Sequence, residues 1–318
     1  MRLRLLALTA LFACAHALAQ EYPSKSIRLI VPFGAGGGTD IIARGIAQKL
    51  SEAWGQQVVI DNRPGANGTI GVDLAAKAPP DGHTLSMISS SHTVNVSLYR
   101  KPPYDLINDL APVTQVTTQP YVLVIHPSLP AKTVKELVAL AKAKPAGINY
   151  ASSGTGGLSH LAGALFAAQS AINITHIPYK GGTPGVTDLI AGHVQMLFST
   201  ILQANPHMRS GRLRGLAVTS ARRSAGVPAL PTMQEAGIAN YEVAGWYGIV
   251  APAKTPPAVI AKLHTEIAAI LRLPDIRERL SADGSEAVGG TPEQLGAHMK
   301  AEIARWAKLI RESGIRAE

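Results

Sequence analysis

The chain has 318 residues, 46% of them hydrophobic and 16% charged, enough apolar material for one large core or two moderate ones. Thirty Lys and Arg against 21 Asp and Glu give a formal charge of +9, but the basic residues are scattered and aromatics reach only 5%, which argues against a nucleic-acid surface. Cys14 is the single cysteine, so a disulfide framework is excluded.

The elements follow in chain order. Arg2 and Arg4, the apolar run Leu5 to Leu18, and Ala17-Leu18-Ala19 predict a secretory signal over 1–19, cleaved before Gln20. The run is shorter than the roughly 20 residues that span a bilayer, so an anchor is not expected. Leu11-Phe12-Ala13-Cys14 fits a lipidation box poorly at Phe12, which argues against a lipoprotein. Removal of the signal would leave an exported chain with no thiol, and therefore no thiol nucleophile or Cys-based zinc site.

Ser26 to Phe33 reads as a strand, Gly34-Ala35-Gly36-Gly37-Gly38 as a turn, and Thr39 to Leu50 as an amphipathic helix. Strands are expected at Gln57 to Asp61 and Thr84 to Ser89, the latter ending in Ser90, Ser91 and His92, with a short helix over Ile70 to Lys77 between them. Pro102, Pro103 and Pro112 mark loop, before a strand at Tyr121 to Ile125 and a helix from Thr133 to Lys144. Ile148 to Ala151, the turn Ser152 to Gly157 and the helical Leu158 to Phe166 repeat the first strand–turn–helix unit. Further strands are expected at Ile174 to Pro178, Val194 to Phe198, Leu213 to Thr219 and Tyr241 to Val250, with a helix over Pro184 to Ala191. Two helices, Pro256 to Leu271 and Pro292 to Ser313, close the chain, each opened by a threonine followed by proline. Strands alternating with helices predict an α/β protein with a parallel sheet.

The repeated unit carries the functional reading. Each copy brings bare backbone N–H groups and the positive end of a helix to one point, the arrangement that holds small anions. Two such points imply a cleft that closes on an acid. Enzyme patterns fit less well. Gly34-Ala35-Gly36 with Asp61 imitates a dinucleotide fingerprint, but Thr39 stands at the third glycine position. No Gly-x-Ser-x-Gly elbow occurs, and the histidines show no metal-ligand spacing. No cofactor, metal or catalytic residue is expected. An exported hydrolase or isomerase acting on small acids is the alternative, separable by a test for turnover.

The stretch Val31 to Arg44 resembles the opening signature of the Bug-type solute-binding receptors, the extracytoplasmic subunits of tripartite tricarboxylate transporters. The similarity continues through Asp61 to Gly68, Tyr150 to Gly157 with His160 and Leu161, and Tyr179 to Gly181. Leu216 to Ser220, Val227 to Thr232, Glu235 to Gly237, and Trp246 to Gly248 with Ala251 and Pro252 carry it in order as far as Pro252. The resemblance implies a two-lobed periplasmic-binding-protein fold of type II-like form. Paired crossover strands would join a discontinuous lobe (22–120 and 246–318) to a continuous one (121–245), with the ligand cleft between them. It also implies binding without chemistry, hinge closure on a carboxylate, delivery to membrane transporter subunits, and a monomer. A sensory adaptor would share the same fold.

Within that frame, Phe33, Ala35, Gly36, Gly37, Gly38, Thr39 and Asp40 are expected to form the first ligand loop. Thr39 would cap the helix, and Asp40 in its first turn would be stabilised by the helix dipole and hold neighbouring amides. Ser152, Ser153, Thr155 and Gly157 form the second loop, whose hydroxyls suit a carboxylate and its waters. Ser90 at a strand end, His160 one helical step past the turn, Lys180, and Trp246 as a wall complete the candidates. Two departures from the family pattern bear on specificity. Gly34 stands where many relatives have proline, and Ser199 and Gln195 where aspartates are common. Loss of those charges favours a plain organic acid over an amino acid.

Overall fold

The computed structural model describes residues 22–99, 101–179, 181–282 and 284–313, so the signal segment 1–19 and Lys180 lie outside the described residues. Strand β1 (Ile27–Val31) is almost wholly buried and pairs in parallel with β2 (Val58–Asn62) and β3 (Thr84–Ser89), as an unbroken Ile-Arg-Leu-Ile-Val run requires. Helix α1 (Gly38–Trp54) follows β1, and its Ile42, Ile46 and Leu50 face Leu29, Met87 and Ile249. Helix α2 (Thr69–Ala76) precedes β3, and α3 (Ser90–Leu98) follows it directly.

Strand β4 runs from Leu110 to Ile125, far longer than the expected Tyr121–Ile125 segment. Its first part pairs antiparallel with β9 (Ala244–Pro252), from Leu110 opposite Pro252 to Pro120 opposite Ala244. From Tyr121 onward its partners are β7 (Met196–Thr200) and β8 (Arg214–Val218). One strand therefore belongs to two half-sheets, and the change of partner falls between Pro120 and Tyr121. Thr219 fastens this point: its hydroxyl accepts the Tyr121 N–H at 2.8 Å and donates to the Val243 carbonyl.

Beyond the handover, α4 (Val134–Ala143) leads to β5 (Asn149–Ser152), which pairs in parallel with β6 (Thr175–Pro178) and β7. Helix α5 (Leu158–Ser170) follows β5, α6 (Gly182–Ala191) precedes β7, and α7 (Ile201–Arg209) follows it. After β9 come α8 (Pro257–Ile270), α9 (Pro274–Ala282), the two-residue β10 (Glu286–Ala287) on β4, and α10 (Pro292–Ser313). The sheet is mixed, not parallel throughout. Parallel triplets around β1 and β5 are joined through antiparallel β4 and β9.

Helix α10 packs on two cores. Leu295 and Met299 join the cluster around Trp246 and Ile88, whereas Trp306, Leu309 and Ile310 join Phe166, Phe198 and Tyr241. The Trp306 indole donates to Glu302 at 2.8 Å, which satisfies its polar end inside the second core.

Candidate functional site

The first loop is built around Asp40. Its carboxylate, 2% exposed, accepts the Gly36 N–H, the Arg44 Nε and the Asn62 amide, each at 2.9 Å. Burial works against ionisation, but these donors prevail and hold the carboxyl below its ordinary range. Gly36 adopts φ +80°, a conformation glycine reaches without strain, and this turns its amide back toward Asp40. The carboxylate is thus engaged in shaping the loop. Gly34 to Gly37 are exposed, and Gly37, not the expected Thr39, caps α1 because the helix begins at Gly38; it makes no side-chain hydrogen bond, so the helix start is bare.

The second loop is arranged on the same plan with different props. Gly157 caps α5, again without a side-chain bond. Ser153 N donates to Ser159 Oγ at 2.8 Å, and Gly156 N donates to His160 Nδ1 at 3.1 Å. Ser152 lies in contact with His176, Oγ to Nε2 being 2.6 Å. His160 and His176 stack with ring centroids 3.7 Å apart. Burial, and for His160 also its neighbour His176, pushes both imidazoles down to about 4, so they are neutral at pH 7. His160 and Ser152 therefore sit beneath the loop as supports, Ser153 is exposed, and Thr155 is half-buried. Gly156 comes down on Leu98 of α3, where a Cβ would lie 2.2 Å from the leucine side chain.

A third helix start enters from α3. Ser89 precedes it, and His92 Nδ1 accepts the Ser89 N–H at 2.9 Å. His92 is fully buried against the edge of Phe33, and burial lowers its pKa to about 4.

Residues from the first turns of these three helices line one cavity of about 180 Å³. Phe33 and Thr39 line it from the first unit, Ser89 to Ser91 from α3, and Leu158 from α5. Gln119, Tyr121, Gly245, Trp246 and Tyr247 of the crossing strands complete the lining. None of these side chains is charged. Of the expected residues, Phe33, Thr39, Ser90 and Trp246 are brought together here. Ala35, Gly36 and Gly37 of the first loop, Gly38 and Asp40 of α1, and Ser152, Ser153, Thr155, Gly157 and His160 of the second unit do not line it. Ser199 is buried within β7 opposite Val122, with its hydroxyl unpartnered. Gln119, Tyr121, Gly245 and Tyr247 were not expected from the sequence, because strand pairing and not local pattern brings them in, and Leu158 enters from the first turn of α5. Larger hollows of about 570 and 790 Å³ lie along α7, and one of about 250 Å³ is lined by Gly38 and the apolar Ile41, Ile42 and Ile46 of α1.

Two half-sheets sharing crossover strands, with a neutral cavity at the crossing, define a periplasmic-type solute-binding receptor. The model of the tripartite tricarboxylate transporter family receptor, TctC, matches residues 42–315, and the chain belongs to that family. Among solved structures, it is similar to Rpa4515 of R. palustris with adipate, at 37% identity and a TM-score of 0.83, covering 93% of this chain and 99% of that one. It is similar also to the periplasmic binding protein BugD, at 33% identity and a TM-score of 0.80, covering 93% and 100%. The third, MatC from Rhodopseudomonas palustris with bound malate, shows 30% identity and a TM-score of 0.79, covering 91% and 100%. Among the described residues no cluster of His, Cys, Asp and Glu could hold a metal ion, and no helix is long and apolar enough to cross a membrane.

Proposed function

We propose that this receptor is exported to the periplasm, captures a small organic acid in the 180 Å³ cavity, and passes it unchanged, as a monomer, to the membrane subunits of a transporter. One observation carries the reading: first-turn residues of three helices, two of them capped only by glycine, line a cavity without a charged side chain. Such ends favour an anion by about 1 kcal/mol each, and more when partly buried. Hydroxyls of Thr39, Ser90 and Ser91 add donors. No carboxylate of the lining is present to receive an ammonium group, which favours a plain acid over an amino acid. The adipate and malate complexes of the two relatives support this class.

Closure brings residues 121–245 toward 22–120 and 246–318, with the hinge at the Pro120–Tyr121 handover and the Thr219–Val243 link. An acid selects the closed state because only there do both glycine loops reach it. Gly37→Val tests the reading. Gly37 is exposed at φ −78°, and a Cβ there meets only the Gly34 carbonyl at 3.6 Å, so the fold tolerates the change. The branched side chain bars approach to the bare helix start. Adipate should raise the melting temperature of the wild type and leave that of the variant unmoved. A variant that keeps the full adipate shift refutes the loop assignment. Adipate recovered chemically altered would favour an enzyme.

A further inference from the structure

We infer that Gly245 sets the length of acid the receptor accepts, an inference that rests on the carboxylate reading of the cavity. Gly245 lies on β9 opposite Gln119, at the crossing of the two half-sheets. It is buried and it lines the cavity. Its missing side chain matters because of where a Cβ would go. That atom would stand 3.3 Å from the Tyr121 ring, 3.5 Å from Gln119 Oε1 and 3.5 Å from Leu158 Cδ2. All three are themselves cavity-lining groups. The space in front of Gly245 is therefore the cavity floor, bounded by one side chain from α5 and two from β4. Conformation does not demand glycine there, since its φ lies outside the region closed to other residues. The demand is for room.

The anion-binding helix starts of α1 and α3 supply Thr39, Phe33 and Ser90 to the same cavity. An acid held by one carboxylate at those starts extends its far end toward the crossing strands, and the absent side chain of Gly245 lets it reach the backbone. A methyl group there removes about one methylene of reach, and one methylene in a close-fitting pocket discriminates by about tenfold or more.

The test is a series of straight-chain α,ω-dicarboxylates from malonate to suberate, titrated calorimetrically against wild type, Gly245→Ala and Gly245→Ser. Melting temperatures and circular dichroism of the unliganded proteins establish that each variant is folded. The expected result is a shift of the preferred length to a shorter acid, with affinity for the longest acid bound by the wild type falling at least about tenfold and affinity for the shortest retained. Uniform weakening across the series, the mark of an impaired hinge, overturns the inference. So does an unchanged length profile. A wild type that binds no member of the series overturns the carboxylate reading itself, and this inference with it.

Discussion

Replacement of Asp40 by alanine removes the acceptor on which the first loop is folded. The Gly36 N–H and the Asn62 amide each lose a bond to a charged group, worth about 1.5 kcal/mol apiece. Arg44 is half-exposed, so its ion pair adds little. The expected cost is about 3 kcal/mol, or about 6 °C in melting temperature for a chain of this size. The sign with pH follows from the depressed carboxyl. An unfolded aspartate titrates near about 3.9, and the native one lower, so the stabilisation is complete above the unfolded value and vanishes as pH falls through the native value. Urea titrations of wild type and Asp40→Ala at a series of pH values measure the difference directly. It should be constant near neutrality and shrink on the acid limb. A difference below about 1 kcal/mol at pH 7, or one that stays flat into acid, refutes the reasoning.

Two further outcomes are expected. His160 is held neutral by burial, so the unfolded chain binds its proton more readily between about 6.5 and about 4, and wild-type stability declines as pH falls through that window. His160→Asn retains an acceptor for Gly156 but does not titrate, so its urea midpoint should fall less steeply over the same range; parallel curves would exclude His160 as a contributor. Thr219→Val deprives the Tyr121 N–H of its acceptor at the crossover, at a cost of about 2 kcal/mol in denaturant unfolding, whereas Thr219→Ser keeps the bond and most of the stability. A larger loss in Thr219→Ser than in Thr219→Val would mean that the methyl group, not the hydroxyl, matters there.

The strand–glycine–helix repeats were legible because their signals are local: an apolar run, a turn of small residues and an amphipathic period. The matching helix α10 was legible for the same reason. The Leu110–Pro120 part of strand β4 was not, because Pro112 reads as a breaker. It is tolerated because it sits at a register irregularity against β9, and Pro120 falls at the change of partner. Helix α3 was hidden because Ser89-Ser90-Ser91-His92 resembles a polar strand tail, and it is a helix entry in which the histidine answers the first amide. Helix α7 contains Pro206, which interrupts the expected pattern. The antiparallel pairings were beyond reach for a different reason. They depend on strands distant in sequence, and with them went Gln119, Tyr121 and Gly245 as cavity residues.

Helix α10 has a mechanical meaning. One end is embedded beside Trp246 and the other beside Phe166 and Tyr241, so a single stiff rod is keyed into two hydrophobic clusters. Pulling Trp306 free would cost about 3–5 kcal/mol. Any closure of the kind proposed must therefore keep both ends of this rod seated, which makes α10 the axle on which it would turn.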